Sequence, residues 1–160
     1  MRAMDIMSTP VITILSNATV AEVADLMLEH QISCLPVLDG QGQLQGILTH
    51  TDFVLRHKFL HVVHDLYTLL GSWTMLKTLE KVALDLRSKL VKDVMRNHVF
   101  TVQEDTPVAQ VVELMVNQRV NRLPIMRGKQ LVGIITRHDL LKLMEPDKWR
   151  LVEAETQPYL

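Results

Sequence analysis

The chain contains the same pattern of residues twice, and this repeat limits its fold more than any other feature. The stretch GILTHTD at 46–52 returns as GIITRHD at 133–139. An offset of 88 residues aligns the upstream half of each copy, and after a slip in the DGQGQ turn an offset of 87 aligns the downstream half. Because loops tolerate changes in length, such a slip is typical of a duplicated structural unit.

Each copy carries signals for a strand, a helix, two strands and a second helix. The β-branched stretches 11–14 and 99–102 predict the first strands, and apolar residues at helical spacing from Val20 and from Val108 predict amphipathic helices. CLPVL and QLQGILT, and later RLPIM and LVGIIT, predict two strands joined by a tight turn. Because one copy buries too small a core, we expect an α+β fold in which two β-α-β-β-α repeats pack sheet to sheet with pseudo-twofold symmetry.

Charge and cysteine content exclude several classes of partner. Seventeen Lys and Arg residues against eighteen Asp and Glu residues leave a net charge of −1, so the composition indicates neither nucleic acid nor an anionic membrane as an obligatory partner, which leaves room for a local basic patch. The single cysteine, Cys34, excludes an intrachain disulfide and favours a reducing compartment. No stretch has the roughly 18 uninterrupted apolar residues of a membrane span. We expect a soluble cytoplasmic protein.

The paired Thr and Asp of each motif have two interpretations. T-x-x-D before an apolar run is typical of a helix cap, in which the Thr hydroxyl accepts a backbone hydrogen bond and the Asp lies near the positive end of the helix dipole. Alternatively, the free N–H groups of a helix start hold phosphate, and the Asp accepts two hydrogen bonds from a diol. The glycine three residues before each Thr either allows a close approach or marks a strand irregularity.

The two motifs, the preceding Leu-Pro strands and the leading Asp-x-Met residues together resemble a pair of CBS domains, the regulatory module named after cystathionine β-synthase. The resemblance covers about residues 4–58 and 91–146, as repeats 1 and 2. It implies an adenosine ligand as effector (AMP, ADP, ATP or S-adenosylmethionine), bound in clefts that both repeats complete, and no required cofactor. It also implies a homodimer formed through helices and a conformational signal to a separate, unidentified effector protein.

The same resemblance assigns residues to two clefts, in which the motif Asp holds the ribose hydroxyls and the motif Thr contacts phosphate. The cleft of the second motif comprises Thr136, Arg137, His138, Asp139, Ile12, Ile32, Ser33 and Pro36. The cleft of the first motif comprises Thr49, His50, Asp52, Phe100, Val120, Asn121, Arg122 and Pro124. Because arginine suits phosphate, Arg137 predicts the second-motif cleft as the tighter site, while Arg119 and Arg122 either add charge to the other cleft or are solvated.

The remaining segments carry weaker signals. Residues 59–90 predict a helical insert or linker that packs on the core, covers a cleft or forms an oligomer contact, and residues 147–160 form a C-terminal tail. His57, His61 and His64 lie near one face of a predicted helix, at a spacing that can bind Zn²⁺. No H-E-x-x-H pattern accompanies them, so we favour a polar helix face and expect no metal site.

Two functions from different classes remain. The first is an adenine-nucleotide sensor that binds AMP, ADP or ATP and signals to a partner. The second is a constitutive dimerisation or scaffold module whose motif Asp residues only cap helices. The sequence contains no Walker-type loop, no nucleophile and base at convincing spacing, and no paired-carboxylate signature, so we do not expect an enzyme.

Overall fold

The computed structural model describes residues 1–55, 80–81 and 83–144, which belong to two compact units. The Asp52 unit is Ile12–His98, and the Asp139 unit combines Met1–Val11 with Val99–Leu160. Each unit contains one three-stranded sheet and helices, so the predicted α+β fold of two repeats is confirmed. Most of the predicted insert 59–90, the tail 147–160 and the three spaced histidines lie outside the described residues.

The Asp52 unit follows the predicted order of elements. Its three strands lie side by side in chain order, the first two parallel and the last two antiparallel. Residues 83–88 are helical as well. The elements are β1 (Ile14–Leu15), α2 (Val20–Glu29), β2 (Cys34–Leu38), β3 (Leu44–Thr49), α3 (His50–Leu55) and α4 (Val91–Val94).

The Asp139 unit repeats this arrangement with one difference at its end. Its three strands also lie side by side in chain order, with the same relative directions. The helix that follows the motif is a 3₁₀ helix here, whereas it is an α-helix in the Asp52 unit. The elements are α1 (Ala3–Ile6), β4 (Val102–Gln103), α5 (Val108–Asn117), β5 (Arg122–Arg127), β6 (Gln130–Thr136) and η1 (Asp139–Met144).

The two long helices, α2 and α5, begin differently. A Thr just before the apolar residues of α2 predicts a cap, and Thr19 fills it, because its hydroxyl accepts a hydrogen bond from the Glu22 N–H at 3.3 Å while the Glu22 carboxylate accepts one from the Thr19 N–H at 2.7 Å. At α5, Thr106 followed by Pro107 predicts Thr106 as the cap and Pro107 in the first helical turn. This prediction is wrong by one residue, since Pro107 occupies the cap and provides no side-chain acceptor. Both helices are followed, two residues after their last helical residue, by a residue in the left-handed conformation, Gln31 and Arg119, each with φ of 52°.

The first residues of the chain pack in the Asp139 unit, on the second repeat. The Ala3 N–H donates to the Thr106 carbonyl at 2.8 Å, and Ser8 and Ile134 exchange two backbone hydrogen bonds of 2.9 and 3.1 Å. Ala3 and Ile6 are buried in the core of that unit. The apolar face of α1 therefore contributes to the core around β5 and β6 rather than to that of its own repeat.

The corresponding residues of the second repeat pack in the Asp52 unit. The Val91 N–H donates to the Ala18 carbonyl at 2.9 Å, and Arg96 and Ile47 exchange two backbone hydrogen bonds of 2.9 and 3.0 Å. Val91 and Val94 are buried in the same core as the strands β2 and β3. Each compact unit is thus made of one repeat without its leading residues and the leading residues of the other repeat.

Candidate functional site

Each motif glycine lies against the methionine of the Asp-x-Met segment that packs in its unit. A Cβ on Gly46 would lie 2.6 Å from Met95 Sδ and 2.8 Å from the Arg96 carbonyl oxygen, and a Cβ on Gly133 would collide with the Met7 side chain. The strand register also shifts beside each glycine, between Val37 and Leu38 in one sheet and at the matching place in the other. Both expectations for these glycines, a close approach and a strand irregularity, are confirmed.

The Asp52 carboxylate is buried and held by three hydrogen bonds. Its Oδ2 accepts from the Thr49 N–H at 2.8 Å and from the Thr49 hydroxyl at 2.7 Å, while its Oδ1 accepts from Arg96 Nε at 2.6 Å. The Asp52 side chain has 0% exposure, whereas the Arg96 side chain is 50% exposed. We call Thr49, Asp52 and Arg96 the Asp52 cluster.

The Asp139 carboxylate has the same Thr contacts and different partners on its other oxygen. Its Oδ2 accepts from the Thr136 N–H at 2.8 Å and from the Thr136 hydroxyl at 2.7 Å. Its Oδ1 accepts from the Ser8 hydroxyl and from Lys142 Nζ, both at 2.8 Å. Lys142 Nζ also donates to the Ile6 carbonyl at 2.8 Å, so it joins η1 to the end of α1. We call Thr136, Asp139, Ser8 and Lys142 the Asp139 cluster.

The two clusters take their positive charge from different places in the repeat. Ser8 and Arg96 are equivalent residues under the 88-residue offset, and each donates to Oδ1 of the motif Asp in its unit. The charge absent at Ser8 is supplied by Lys142, whose equivalent in the first repeat is Leu55. Among the described residues, each buried carboxylate therefore has one cation, which fits the several kcal/mol that an unpaired charge at such a site costs.

Both carboxylates remain ionised at neutral pH. Burial alone raises the pKa of Asp52, but the hydrogen bonds from Thr49 and Arg96, with the charge of Arg96, hold that pKa below its ordinary value. Burial likewise raises the pKa of Asp139, and the hydrogen bonds from Lys142, Thr136 and Ser8 outweigh it and lower the pKa. Both clusters thus present an anion that the protein has already stabilised.

The carboxylates differ in how many hydrogen bonds they can still accept. A carboxylate has about four lone-pair positions. From the residues that the structure describes, Asp139 accepts four hydrogen bonds and Asp52 accepts three. Asp52 therefore has about one acceptor position left on Oδ1, whereas Asp139 would have to release Ser8 or Lys142 before it could accept from a ligand.

The other predicted site residues divide between the units. Ile12, Ile32, Ser33 and Pro36 share the Asp52 unit with the first motif, and Phe100, Val120, Asn121, Arg122 and Pro124 share the Asp139 unit with the second. Each predicted cleft draws on both units, so its assembly stays a prediction.

Within each unit the structure brings together residues that were assigned to different clefts. The Arg137 N–H donates to the Asn121 carbonyl at 3.1 Å, and the His50 N–H donates to the Ser33 carbonyl at 3.1 Å. Arg137, His138 and Arg119 are exposed. The motif backbone is therefore anchored on the residues just before β2 and β5.

Sequence reasoning missed Ser8, Arg96 and Lys142. Ser8 is 131 residues from Asp139 and Arg96 is 44 residues from Asp52, so no local pattern joins either pair. One signal was available: the 88-residue offset aligns Ser8 with Arg96, directly after the aligned methionines of the two leading segments. Because Ser8 is neutral and Arg96 is a cation, this alignment predicts that the two repeats differ in charge at this position.

No arrangement suited to a metal ion is present in the described ranges. Among those residues, no three His, Cys, Asp or Glu side chains converge. Cys34 is buried in β2. None of the helices in the described ranges has the length and apolar character needed to cross a membrane.

Comparisons with known proteins agree with this architecture. A CBS domain of a membrane protein from Sphaerobacter thermophilus has 33% identity and a TM-score of 0.72, covering 89% of this chain and 86% of that one. The CBS domain pair of protein MJ0100, crystallised with 5′-methylthioadenosine and S-adenosyl-L-methionine, has 28% identity and a TM-score of 0.66, covering 92% of this chain and 98% of that one.

Several curated enzymes match over a minor part of their length. Inosine-5′-monophosphate dehydrogenase of Methanocaldococcus jannaschii is 34% identical over 142 residues, which are 88% of this chain and 23% of that enzyme. The chain spans less than a quarter of the first curated relatives it matches. The family model named CBS domain matches residues 3–57 and 91–146, which is more than half of the chain. The chain therefore belongs to the CBS domain family.

Proposed function

We propose that this CBS pair is a regulatory module that binds an adenosine-containing ligand, with AMP, ADP or ATP as the preferred class. The observation that carries the proposal is the presence, in both units, of an ionised, buried motif Asp whose Thr partner holds one oxygen only. The other oxygen is bonded to groups that are not part of the motif. The complex of the MJ0100 pair with two adenosine derivatives supports the ligand class.

The chemistry of a ribose fits this second oxygen. Its vicinal hydroxyls donate two hydrogen bonds, and a carboxylate held in place by a Thr loses little further freedom when it accepts them. Asp52 Oδ1 offers one acceptor position without rearrangement. A diol at Asp139 takes the place of the Ser8 hydroxyl or of Lys142 Nζ, so binding there changes the bonds between η1 and the leading segment.

This exchange of partners supplies a way to signal. A ligand shifts a conformational equilibrium only when it binds two states with different affinity. Lys142 bonds both Asp139 and the Ile6 carbonyl, so a ligand that takes Asp139 weakens one of two contacts that tie η1 to the end of α1. We propose that a separate cytoplasmic protein detects this change.

Isothermal titration with AMP, ADP, ATP and S-adenosylmethionine tests the proposal. Saturable binding to the wild-type protein is expected, with weaker binding in Asp52→Ala or Asp139→Ala according to the cluster that is occupied. Thr19→Ser is the control, because residue 19 lies outside both motifs and serine keeps the helix cap. This variant is expected to leave the affinity unchanged. Flat titrations with all four ligands on folded protein would refute the proposal.

A constitutive dimerisation or scaffold module remains the second candidate. In each motif the carboxylate accepts from the backbone N–H of the Thr three residues earlier, which is one of the two bonds of a capping box and favours this candidate. Ligand-induced stabilisation separates the two, because a ligand at a hundred times its Kd raises the free energy of unfolding by about 2.7 kcal/mol. A pure scaffold shows no such increase.

We also propose that two copies of the chain associate through α2 and α5. Leu28 on α2 is 78% exposed and Val116 on α5 is 67% exposed, and the 88-residue offset aligns them. Large apolar side chains at equivalent, exposed positions favour a symmetric contact. Analytical ultracentrifugation is expected to show a dimer that Leu28→Glu with Val116→Glu converts to monomer.

A further inference from the structure

We propose that Arg96 makes the Asp52 cluster selective for an adenosine ligand that carries phosphate. The inference rests on the proposed function, since it concerns which adenosine derivative this cluster takes. Arg96 is outside the repeated motif, and its equivalent in the other repeat is the neutral Ser8. Charge selectivity at this place is therefore a property of one half of the chain.

The geometry leaves most of the Arg96 guanidinium available. Its Nε donates to Asp52 Oδ1 at 2.6 Å, and the side chain is 50% exposed. Within the described ranges, its two terminal nitrogens have no hydrogen-bond partner. A guanidinium has five N–H donors in a planar fork that matches phosphate. Nε can therefore donate to Asp52 while the terminal nitrogens donate to an anion.

The hydrogen bond to Asp52 orients Arg96 before any ligand binds. A long cationic side chain normally loses rotamer freedom when it binds an anion, and this loss of entropy reduces the favourable free energy of binding. Arg96 has already lost part of this freedom, because the carboxylate that holds it is completely buried. Arg96 and Arg137, the arginine that the motif itself contains, are both exposed, but among the described residues only Arg96 is held by a motif carboxylate. The phosphate preference is therefore expected at the Asp52 cluster rather than at the Asp139 cluster.

The cation of the Asp139 cluster is bound more fully to the protein. Lys142 Nζ donates to both Asp139 and the Ile6 carbonyl, which leaves one of its three donors, and its side chain is 34% exposed. An ammonium also lacks the planar fork of arginine. The Asp139 cluster therefore has a weaker preference for phosphate, and the two clusters differ in the charge of the ligand they favour.

The test compares AMP with adenosine, two ligands that differ only by phosphate, in isothermal titrations of the full chain. The variant is Arg96→Ser, which places in the Asp52 unit the residue that already donates to a motif Asp in the other unit. Lys92→Gln is the matched control, because it removes one positive charge from an exposed residue of α4 in the same unit. Circular dichroism and thermal unfolding verify that each variant is folded.

We expect Arg96→Ser to weaken AMP binding about tenfold and adenosine binding less than about threefold, because a charge-assisted hydrogen bond is lost only with the phosphorylated ligand. Lys92→Gln is expected to change neither affinity by more than about twofold. Should the Ser variant fail to fold, Arg96→Lys keeps the charge without the fork, and a selective loss of AMP affinity of about threefold is expected.

Three results would overturn the inference, and they differ from one another. Equal losses for AMP and adenosine would show that Arg96 only positions Asp52. Unchanged AMP affinity would show that phosphate lies elsewhere. Binding of neither ligand to the folded wild-type protein would overturn the inference, and flat titrations with ADP, ATP and S-adenosylmethionine as well would reject the proposed function itself.

Discussion

Substitution of the two motif glycines by alanine tests whether the leading segments pack on the sheets as described. A Cβ at residue 46 would lie 2.8 Å from the Arg96 carbonyl oxygen, which is backbone, as well as 2.6 Å from Met95 Sδ. At residue 133 the three nearest atoms all belong to the Met7 side chain. The two changes are chemically identical, but only the first pushes on backbone that is hydrogen-bonded to the sheet.

The expected losses follow from these contacts. Overpacking costs about 1–3 kcal/mol, and Gly46→Ala also strains the pair of backbone hydrogen bonds between Ile47 and Arg96, each contributing about 1 kcal/mol. The reduced freedom of alanine in the unfolded chain offsets about 0.5–1 kcal/mol in both variants. We therefore expect a loss of about 3 kcal/mol for Gly46→Ala and of about 1 kcal/mol for Gly133→Ala.

Urea unfolding followed by circular dichroism measures these free energies, and a second substitution sharpens the comparison. Shortening the methionine relieves the collision in Gly133→Ala with Met7→Ala, so the two changes together cost less than their sum. In Gly46→Ala with Met95→Ala the carbonyl contact remains, and most of the loss persists. If Gly46→Ala is no more destabilising than Gly133→Ala, or if Met95→Ala restores it fully, the reasoning is wrong.

Two further outcomes are expected from urea unfolding. Asp52→Asn lowers the free energy of unfolding by about 2 kcal/mol at pH 7, since it removes hydrogen bonds to an ionised group. Because the folded-state pKa of Asp52 is lowered, the wild-type carboxylate stabilises fully above its unfolded pKa of about 3.9 and loses that contribution as pH falls through the folded value. The difference between the two proteins therefore shrinks from pH 5 to pH 2, and a difference independent of pH would contradict this. Thr19→Ala lowers stability by about 1 kcal/mol through loss of the α2 cap, whereas Thr19→Ser has little effect; equal losses would refute the capping role.

Features that depend on neighbouring residues could be predicted. The apolar spacing from Val20 and Val108 predicted α2 and α5. The T-x-x-D pattern predicted the pairing of Thr49 with Asp52, although the Thr49 hydroxyl donates to the carboxylate instead of accepting a backbone hydrogen bond. Residues three or four apart meet in almost any helical turn, whatever surrounds it. The same reasoning failed at Pro107, where the exact first residue of a helix depends on local backbone angles.

The location of the leading segments could not be predicted. A short apolar segment such as Ala3–Ile6 can cover either sheet of a duplicated fold, because both copies present similar surfaces. Contacts between residues distant in the sequence determine which sheet it covers, including the hydrogen bonds from Ser8 to Ile134 and from Ala3 to Thr106. The repeat in the sequence therefore does not coincide with the compact units of the structure.

The sequence by itself determined that the chain is duplicated, that each copy is strand, helix, strand, strand, helix, and that each motif pairs a Thr with an Asp. These follow from periodicity and from spacings of three or four residues. Only the tertiary structure decided which groups bind the second oxygen of each Asp. Arg96 reaches Asp52 and Ser8 reaches Asp139 because α4 and α1 pack on the opposite repeat, and chain topology brings these residues together where no local pattern could.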